Sequence, residues 1–275
     1  MTGNPTIGII AGGGQFPLMV AEAAKARGLR TVAVALYGET EPVLSEKVDK
    51  IIWIKLGQLG HLIKAFRTEG VKNAIMAGSI TKKRMFENLR PDLKGLAIMT
   101  KLAVFHDDDI LRAVADELAG EGIEIVSSTA YLPELLVEEG CFTKRKPGKE
   151  EMEDILFGWK VAKELGRLDI GQSVVVRQKT VLAVEAIDGT DATIRRGGRI
   201  AKEKAVVVKV SKPNQDLRFD VPSIGLETIG IMGEVKAAVL AVEAGRTLIF
   251  DREKMLQKAN EKKIAVIALS AESIK

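Results

Sequence analysis

"IGIIAGGGQFP", residues 7–17, decides the fold. An apolar run from Ile7 to Ala11 breaks on three glycines, Gly12, Gly13 and Gly14, and Pro17 stands where a helix can begin. Short Ile-rich runs suit strands buried on both faces, glycines let backbone amides approach an anion, and a helix starting just beyond turns its positive end toward it. The stretch therefore predicts strand, phosphate loop and helix, with Gly12, Gly13, Gly14 and Gln15 against a ligand. As a dinucleotide fingerprint it is defective. Counted from Gly12 as G-x-G-x-x-G, the third glycine position holds Pro17, and the second apolar run ends near Leu36 and Tyr37 without an acidic residue about 20 positions on. A tight strand-to-helix turn without a ligand is the plainer alternative.

Outward from this stretch, "TVAVALY", "KIIWIK", "NAIMAG" and "IEIVSS" repeat the apolar pattern, separated by the helical stretches "FPLMVAEAAKARG", "LGHLIKAFRTEG" and "DILRAVADELAGEG". Repeated βα units predict a parallel sheet covered by helices, with a site at the carboxyl ends of the strands. Residues 1–134 read as a Rossmann-like domain. Residues 135–150, including "EEGCFTKRKPGKE", read as a linker broken by Pro147 and Gly148. Residues 151–275 read as a second, mixed α/β domain, in which "VKAAVLAVEAG" is expected helical, "AVVVKV" and "IAVIAL" extended, and "DGTD" a turn.

Composition excludes several classes. The 275 residues carry 41 Lys and Arg against 37 Asp and Glu, a net charge of +4 without a basic block, and 4% aromatic residues, a poor supply for nucleic-acid binding. Cys141 is the single cysteine and His61 and His106 the only histidines, so neither a disulfide nor a histidine-cysteine zinc site can form within the chain. No signal peptide and no apolar run of roughly 18 residues is evident, which predicts a cytoplasmic protein, with peripheral contact at a membrane still open.

Other stretches carry candidate ligands. "MAGSI" ends a strand with Gly78, Ser79 and Ile80 and predicts a second ligand loop at the same sheet edge. "HDDD" sets Asp108 and Asp109 before a helix, as N-terminal capping charge or as hydroxyl contacts. "LDIGQS" places Gln172 at the mouth of a strand. "EAIDGTDATIRR" gathers Glu185, Asp188, Thr190, Asp191, Arg195 and Arg196, either a solvated hairpin turn or Mg2+ ligands beside phosphate-binding arginines. In "KPNQDLRFDVPSIG", Lys212 lies in a loop with Asp220, whose carboxylate between Phe219 and Val221 needs a metal or cation.

Together "IGIIAGGGQFP", "GRLDIGQSVVV", "VLAVEAIDGTDATIRR", "KPNQDLRFDVPSIGLETI" and "VEAGRTLIFDRE" resemble the UDP-2,3-diacylglucosamine pyrophosphatase family of the LpxI type, over nearly the whole chain. The resemblance implies Mg2+-dependent cleavage of UDP-2,3-diacylglucosamine into UMP and 2,3-diacylglucosamine 1-phosphate, called lipid X, in lipid A synthesis. It also implies a homodimer of two-domain chains with the substrate between the domains. The catalytic and metal-binding aspartate of the family falls on Asp220. Its "GTDA" segment falls on Gly189, Thr190, Asp191 and Ala192, and its "GDD" on Asp107, Asp108 and Asp109, with Asp107 in place of glycine. On this reading Asp220 orients water for attack on the α-phosphorus while Arg195 and Lys212 offset the developing charge. The acyl chains imply transient contact with the inner-membrane cytoplasmic leaflet. Two rivals are a nicotinamide-dependent oxidoreductase and a non-catalytic sugar-nucleotide sensor.

Overall fold

The computed structural model describes residues 5–80, 89–101, 107–127 and 129–274. It divides the chain into two compact units: Met1–Pro133 together with Asp216–Asp220, and Glu134–Gln215 together with Val221–Lys275.

The first unit alternates β1 (Thr6–Ala11), α1 (Phe16–Ala26), β2 (Arg30–Leu36), β3 (Lys50–Ile54), α2 (Leu59–Thr68), β4 (Asn73–Ala77), α3 (Leu93–Lys101), α4 (Asp107–Gly120) and β5 (Glu124–Ile125). Its five strands lie parallel in the order β3-β2-β1-β4-β5. Chain order runs outward from β1 to β2 and β3, then returns to β4 on the other side. That reversal puts the loops after β1 and β4 next to each other, where open α/β sheets hold ligands. Residues 32–36 of β2 are buried because both sheet faces are covered: Val32, Val34 and Leu36 join Leu59, Leu62, Ile63 and Phe66 of α2 in one cluster.

Phe219 belongs to that same cluster and is only 8% exposed. Burying an aromatic ring of this size is worth a few kcal/mol and, with the hydrogen bonds of the turn, anchors residues 216–220 to this core. The short return of residues 216–220 thus makes Asp220, expected in the second domain, part of the first unit.

The second unit contains β6 (Gly140–Cys141), α5 (Lys149–Arg167), β7 (Ser173–Arg177), β8 (Thr180–Val184), α6 (Gly189–Ala201), β9 (Val206–Lys209), β10 (Ser223–Ile224), α7 (Leu226–Glu234), β11 (Val239–Glu243), β12 (Leu248–Ile249), α8 (Arg252–Glu261) and β13 (Ala265–Leu269). The main sheet runs β6-β13-β11-β9-β7-β8, parallel across β9, β11 and β13 and antiparallel at β6, β7 and β8, so the mixed α/β class holds. β10 and β12 form a small separate pair.

Three local expectations need correction. "VKAAVLAVEAG" holds β11, not a helix; Val239–Glu243 is buried on both faces between β9 and β13, which leaves no polar helix face to form. "DGTD" does not close a hairpin: Asp188 precedes α6, whose buried Ile194, Gly197, Gly198 and Ala201 recur at helical spacing. The segment read as a linker is stitched into the second sheet, where β6 pairs with β13 and the Thr143 hydroxyl accepts the Val266 N–H at 2.9 Å. No helix among the described residues is long and apolar enough to cross a membrane.

Candidate active site

In the first unit the β1 and β4 loops meet backbone to backbone. The Gly12 N–H donates to Ala77 O at 2.8 Å, the Gly13 N–H to Ser79 O at 2.7 Å, and the Ser79 N–H returns to Gly13 O at 3.1 Å. A Cβ on Gly12 would stand 2.5 Å from Ser79 O, and one on Gly78, whose φ is +91°, 2.5 Å from Gly13 O. Glycine is required because no side chain fits between two backbones. This corrects part of the expectation: the amides of Gly12 and Gly13 are used within the protein. Gly14 differs, since a Cβ there would meet nothing within 4 Å. It opens outward just before α1, with Gln15 as the residue preceding that helix. Ile80 packs against the core of the unit.

The loop after β2 is tied to the same place. The Thr40 hydroxyl donates to Ala11 O at 2.5 Å and accepts the Leu36 N–H at 2.9 Å. Glu39 O comes within 3.1 Å of where a Gly13 Cβ would be, and the Glu39 carboxylate within 3.7 Å. An acidic residue therefore does stand after the second strand and beside the glycines, a few positions later than the fingerprint spacing places it. A looser count along "LYGET" was the available signal.

Asp109 is exposed in the first turn of α4; the side chain of Asp108 lies outside the described residues. Residues 216–220 form a turn in which the Phe219 and Asp220 N–H groups donate to Asp216 O at 3.0 and 3.2 Å. Arg218 clasps the Asp216 carboxylate through Nε at 3.0 Å and an NH2 group at 2.7 Å. That guanidinium, assisted by Arg112, holds the Asp216 carboxyl below the ordinary carboxylate range. Asp220 is half-buried at the end of the turn.

In the second unit, Lys212 Nζ meets Asp169 Oδ1 at 2.5 Å with both side chains largely covered. The loop behind Lys212 rests on Glu243, only 4% exposed, which accepts the Ser211 N–H and hydroxyl, each at 2.8 Å, and Lys163 Nζ at 2.7 Å. Sequence reading missed both carboxylates. Asp169 lies within "LDIGQS", three residues before Gln172, where its spacing gives no sign of a lysine partner.

Glu185 gathers another part of the predicted set. It accepts the Thr190 hydroxyl at 2.8 Å and the Gln172 backbone N–H at 3.4 Å, while Gln172 Oε1 is buried without a protein partner. Asp191 sits beside them in the first turn of α6. Arg195 stands elsewhere, 3.4 Å from Glu234 in an open depression of about 300 Å3 that Gly198, Arg199, Lys202 and Val235 also line. Arg196 is engaged by Asp188 and by Val184 O.

Residues 6–135 match the family model described as the LpxI N-terminal domain, and residues 138–267 the one described as the LpxI C-terminal domain. The chain belongs to the LpxI family. A relative from Caulobacter vibrioides, named UDP-2,3-diacylglucosamine pyrophosphatase LpxI, is 36% identical over 274 residues, covering 96% of this chain and 97% of its own. Likeness to solved structures is slight. N5-carboxyaminoimidazole synthetase from Staphylococcus aureus, complexed with ADP, is 14% identical with a TM-score of 0.30, over 64% of this chain and 33% of its own. Biotin carboxylase from Campylobacter jejuni is 11% identical with the same TM-score of 0.30, over 71% and 42%. Neither bears on the fold or function of this LpxI chain.

The Mg2+ that LpxI membership implies can be tested against the donors present. Among the described residues no three His, Cys, Asp or Glu side chains cluster to hold a metal. Mg2+ does not require such a cage, because it is commonly bound through one or two carboxylates with water and substrate phosphate completing the shell. The half-buried carboxylate of Asp220 fits that shared mode.

Proposed function

We propose that this LpxI chain hydrolyses the diphosphate of UDP-2,3-diacylglucosamine to UMP and 2,3-diacylglucosamine 1-phosphate, a step of lipid A synthesis. The observation that carries the reading is the match, from end to end, to a relative named for acting on that diphosphate. In the first unit, the exposed turn at Gly14, at the positive end of α1, receives diphosphate oxygens. Ser79, held against Gly13, faces the same ligand, and Asp108 and Asp109 meet its hydroxyls. Asp220 orients the attacking water toward the α-phosphorus; the water oxygen bonds to that phosphorus as the bridging oxygen leaves with the sugar 1-phosphate. Mg2+ held by Asp220 and the diphosphate would supply neutralisation of the charge developing there.

In the second unit, Lys212 offsets charge on the departing phosphate, and Asp169 keeps its ammonium in place. Gln172 contacts a polar group of the substrate beside Glu185 and Thr190. Thr190 and Asp191 contact polar groups of the same ligand, whereas Arg195, paired with Glu234 in its own depression, is left out of this assignment. The chain works as a homodimer in the cytoplasm and touches the inner leaflet transiently, since its substrate carries two acyl chains.

The test is incubation with UDP-2,3-diacylglucosamine in Mg2+ or in chelator, followed by chromatography for UMP. UMP in the first and none in the second is expected. Substrate binding without UMP would make the protein a sensor, and reduction of a nicotinamide cofactor would make it an oxidoreductase.

A further inference from the structure

Tyr37 is 61% exposed, unusual for a large aromatic side chain at the end of a buried strand. It follows β2 at the carboxyl edge of the sheet. Alternation along the strand sends Val32, Val34 and Leu36 to the α2 side and Tyr37 to the other, with Ala33 and Ala35. Trp53 of β3 is in register with Ala35 and stands on that same face. The two rings lie 5.5 Å apart, tilted by 33°, so Trp53 backs Tyr37 and holds its ring in place while the outer face stays open to solvent.

The surroundings give this platform a use. The Tyr37 N–H donates to Ile54 O at 3.0 Å, which fixes its backbone. Two residues later Glu39 reaches the glycine loop, its carbonyl 3.1 Å and its carboxylate 3.7 Å from the place a Gly13 side chain would occupy. Along one sheet edge the unit thus offers a glycine turn for phosphate, a carboxylate for vicinal hydroxyls and an aromatic face for a planar ring. Those are the three parts of a nucleoside 5′-phosphate, in the order phosphate, ribose, base.

We infer that Tyr37, backed by Trp53, is a stacking platform for the nucleobase, with Glu39 on the ribose, so that the first unit holds the nucleoside end of the ligand. The inference rests on the reading of the substrate as a UDP-sugar and adds which unit takes which end. A low aromatic content argues against binding nucleic acid, but a single platform is all one base needs. Stacking accepts any base, so Tyr37 supplies affinity and not selectivity for uracil.

Calorimetric titration of UMP, in Mg2+, into the full-length chain tests it. Tyr37→Ala should weaken UMP binding by about 10-fold or more, as loss of a base–aromatic stack does, and Tyr37→Phe by no more than about twofold. The KM for UDP-2,3-diacylglucosamine should rise with kcat little changed, whereas inhibition by the other product, 2,3-diacylglucosamine 1-phosphate, should stay as in the wild type. Glu39→Gln should erase the preference for UMP over 2′-deoxy-UMP. Because the Tyr37 ring is mostly exposed, melting temperature should not move with Tyr37→Ala. Equal UMP affinity in wild type and Tyr37→Ala, or no UMP binding at all, would overturn the inference. UMP binding that is lost in Tyr37→Ala, in a wild-type protein that releases no UMP from the lipid substrate, would uphold the platform and reject the proposed hydrolysis.

Discussion

Replacing Gly12 and Gly14 separately by alanine distinguishes a glycine kept for packing from one kept for ligand approach. At Gly12 a methyl group would sit 2.5 Å from Ser79 O and 3.0 Å from Ser79 C and N. These are backbone atoms, pinned by the 2.7 and 3.1 Å bonds that join Gly13 to Ser79, so the loops must separate. Overpacking of this kind costs roughly 1–3 kcal/mol, which for a unit of this size is roughly 3–12 °C in melting temperature. At Gly14 the methyl group meets nothing within 4 Å, and the cost is that of holding alanine at φ +84°, about 1–2 kcal/mol. Stability therefore changes by comparable amounts, while function separates them. The Gly14 methyl group projects into the space assigned to the diphosphate, so Gly14→Ala should raise KM, which does not depend on the folded fraction, by about 10-fold or more. Gly14→Asn, which tolerates positive φ, should recover stability but not KM. Thermal melts and initial rates of UMP release measure both. Gly14→Ala with wild-type KM would refute phosphate binding at this turn.

Phe219→Ala should remove up to about 3–5 kcal/mol from the first unit, because its ring lies in that core. Hydrogen exchange should then accelerate in β1, β2 and β4 before β9, β11 and β13; the reverse order would contradict the placement of residues 216–220. Lys212→Ala should lower kcat by about 100-fold or more, the usual loss for one fixed donor to developing charge, and a kcat within twofold of wild type would remove Lys212 from the mechanism. Acid should weaken the first unit through Asp49. The Thr31 N–H, at 2.7 Å, and hydroxyl, at 2.8 Å, hold its carboxyl below the ordinary value. A depressed carboxyl stabilises the fold above the unfolded pKa, and that contribution drains away as pH falls from about 4 through the folded value. Asp49→Asn should be less stable at pH 7 and lose less on acidification, as seen by urea melts across that range.

The parallel sheet was readable because its strands are buried on both faces and so appear as unbroken Ile, Val and Ala runs between helical stretches. The same property misled at β11: "VKAAVLAVEAG" is as apolar and alanine-rich as a buried helix, and only its neighbours β9 and β13 decide the matter. Asp188 and Gly189 are equally good signals for a turn and for a helix start, and the residues settling it lie a turn or two later. The return of Phe219 to the first core has no local signature, since one aromatic residue among charged ones does not say which core it fills. Of the site, the contact between glycine loop and Ser79 follows from topology, because β1 and β4 are adjacent at the reversal. Glu39 lies a few positions beyond the fingerprint spacing, and Asp169 and Glu243 carry no signal because carboxylates that serve lysines and backbone amides look like any others along the chain.

Hydrolysis of UDP-2,3-diacylglucosamine in 18O-labelled water, with mass analysis of both products, tests the central claim most directly. UMP bearing one 18O and an unlabelled sugar 1-phosphate, with turnover abolished in Asp220→Ala at saturating Mg2+, is the predicted result. Label in the sugar 1-phosphate, or near wild-type turnover in Asp220→Ala, would contradict it.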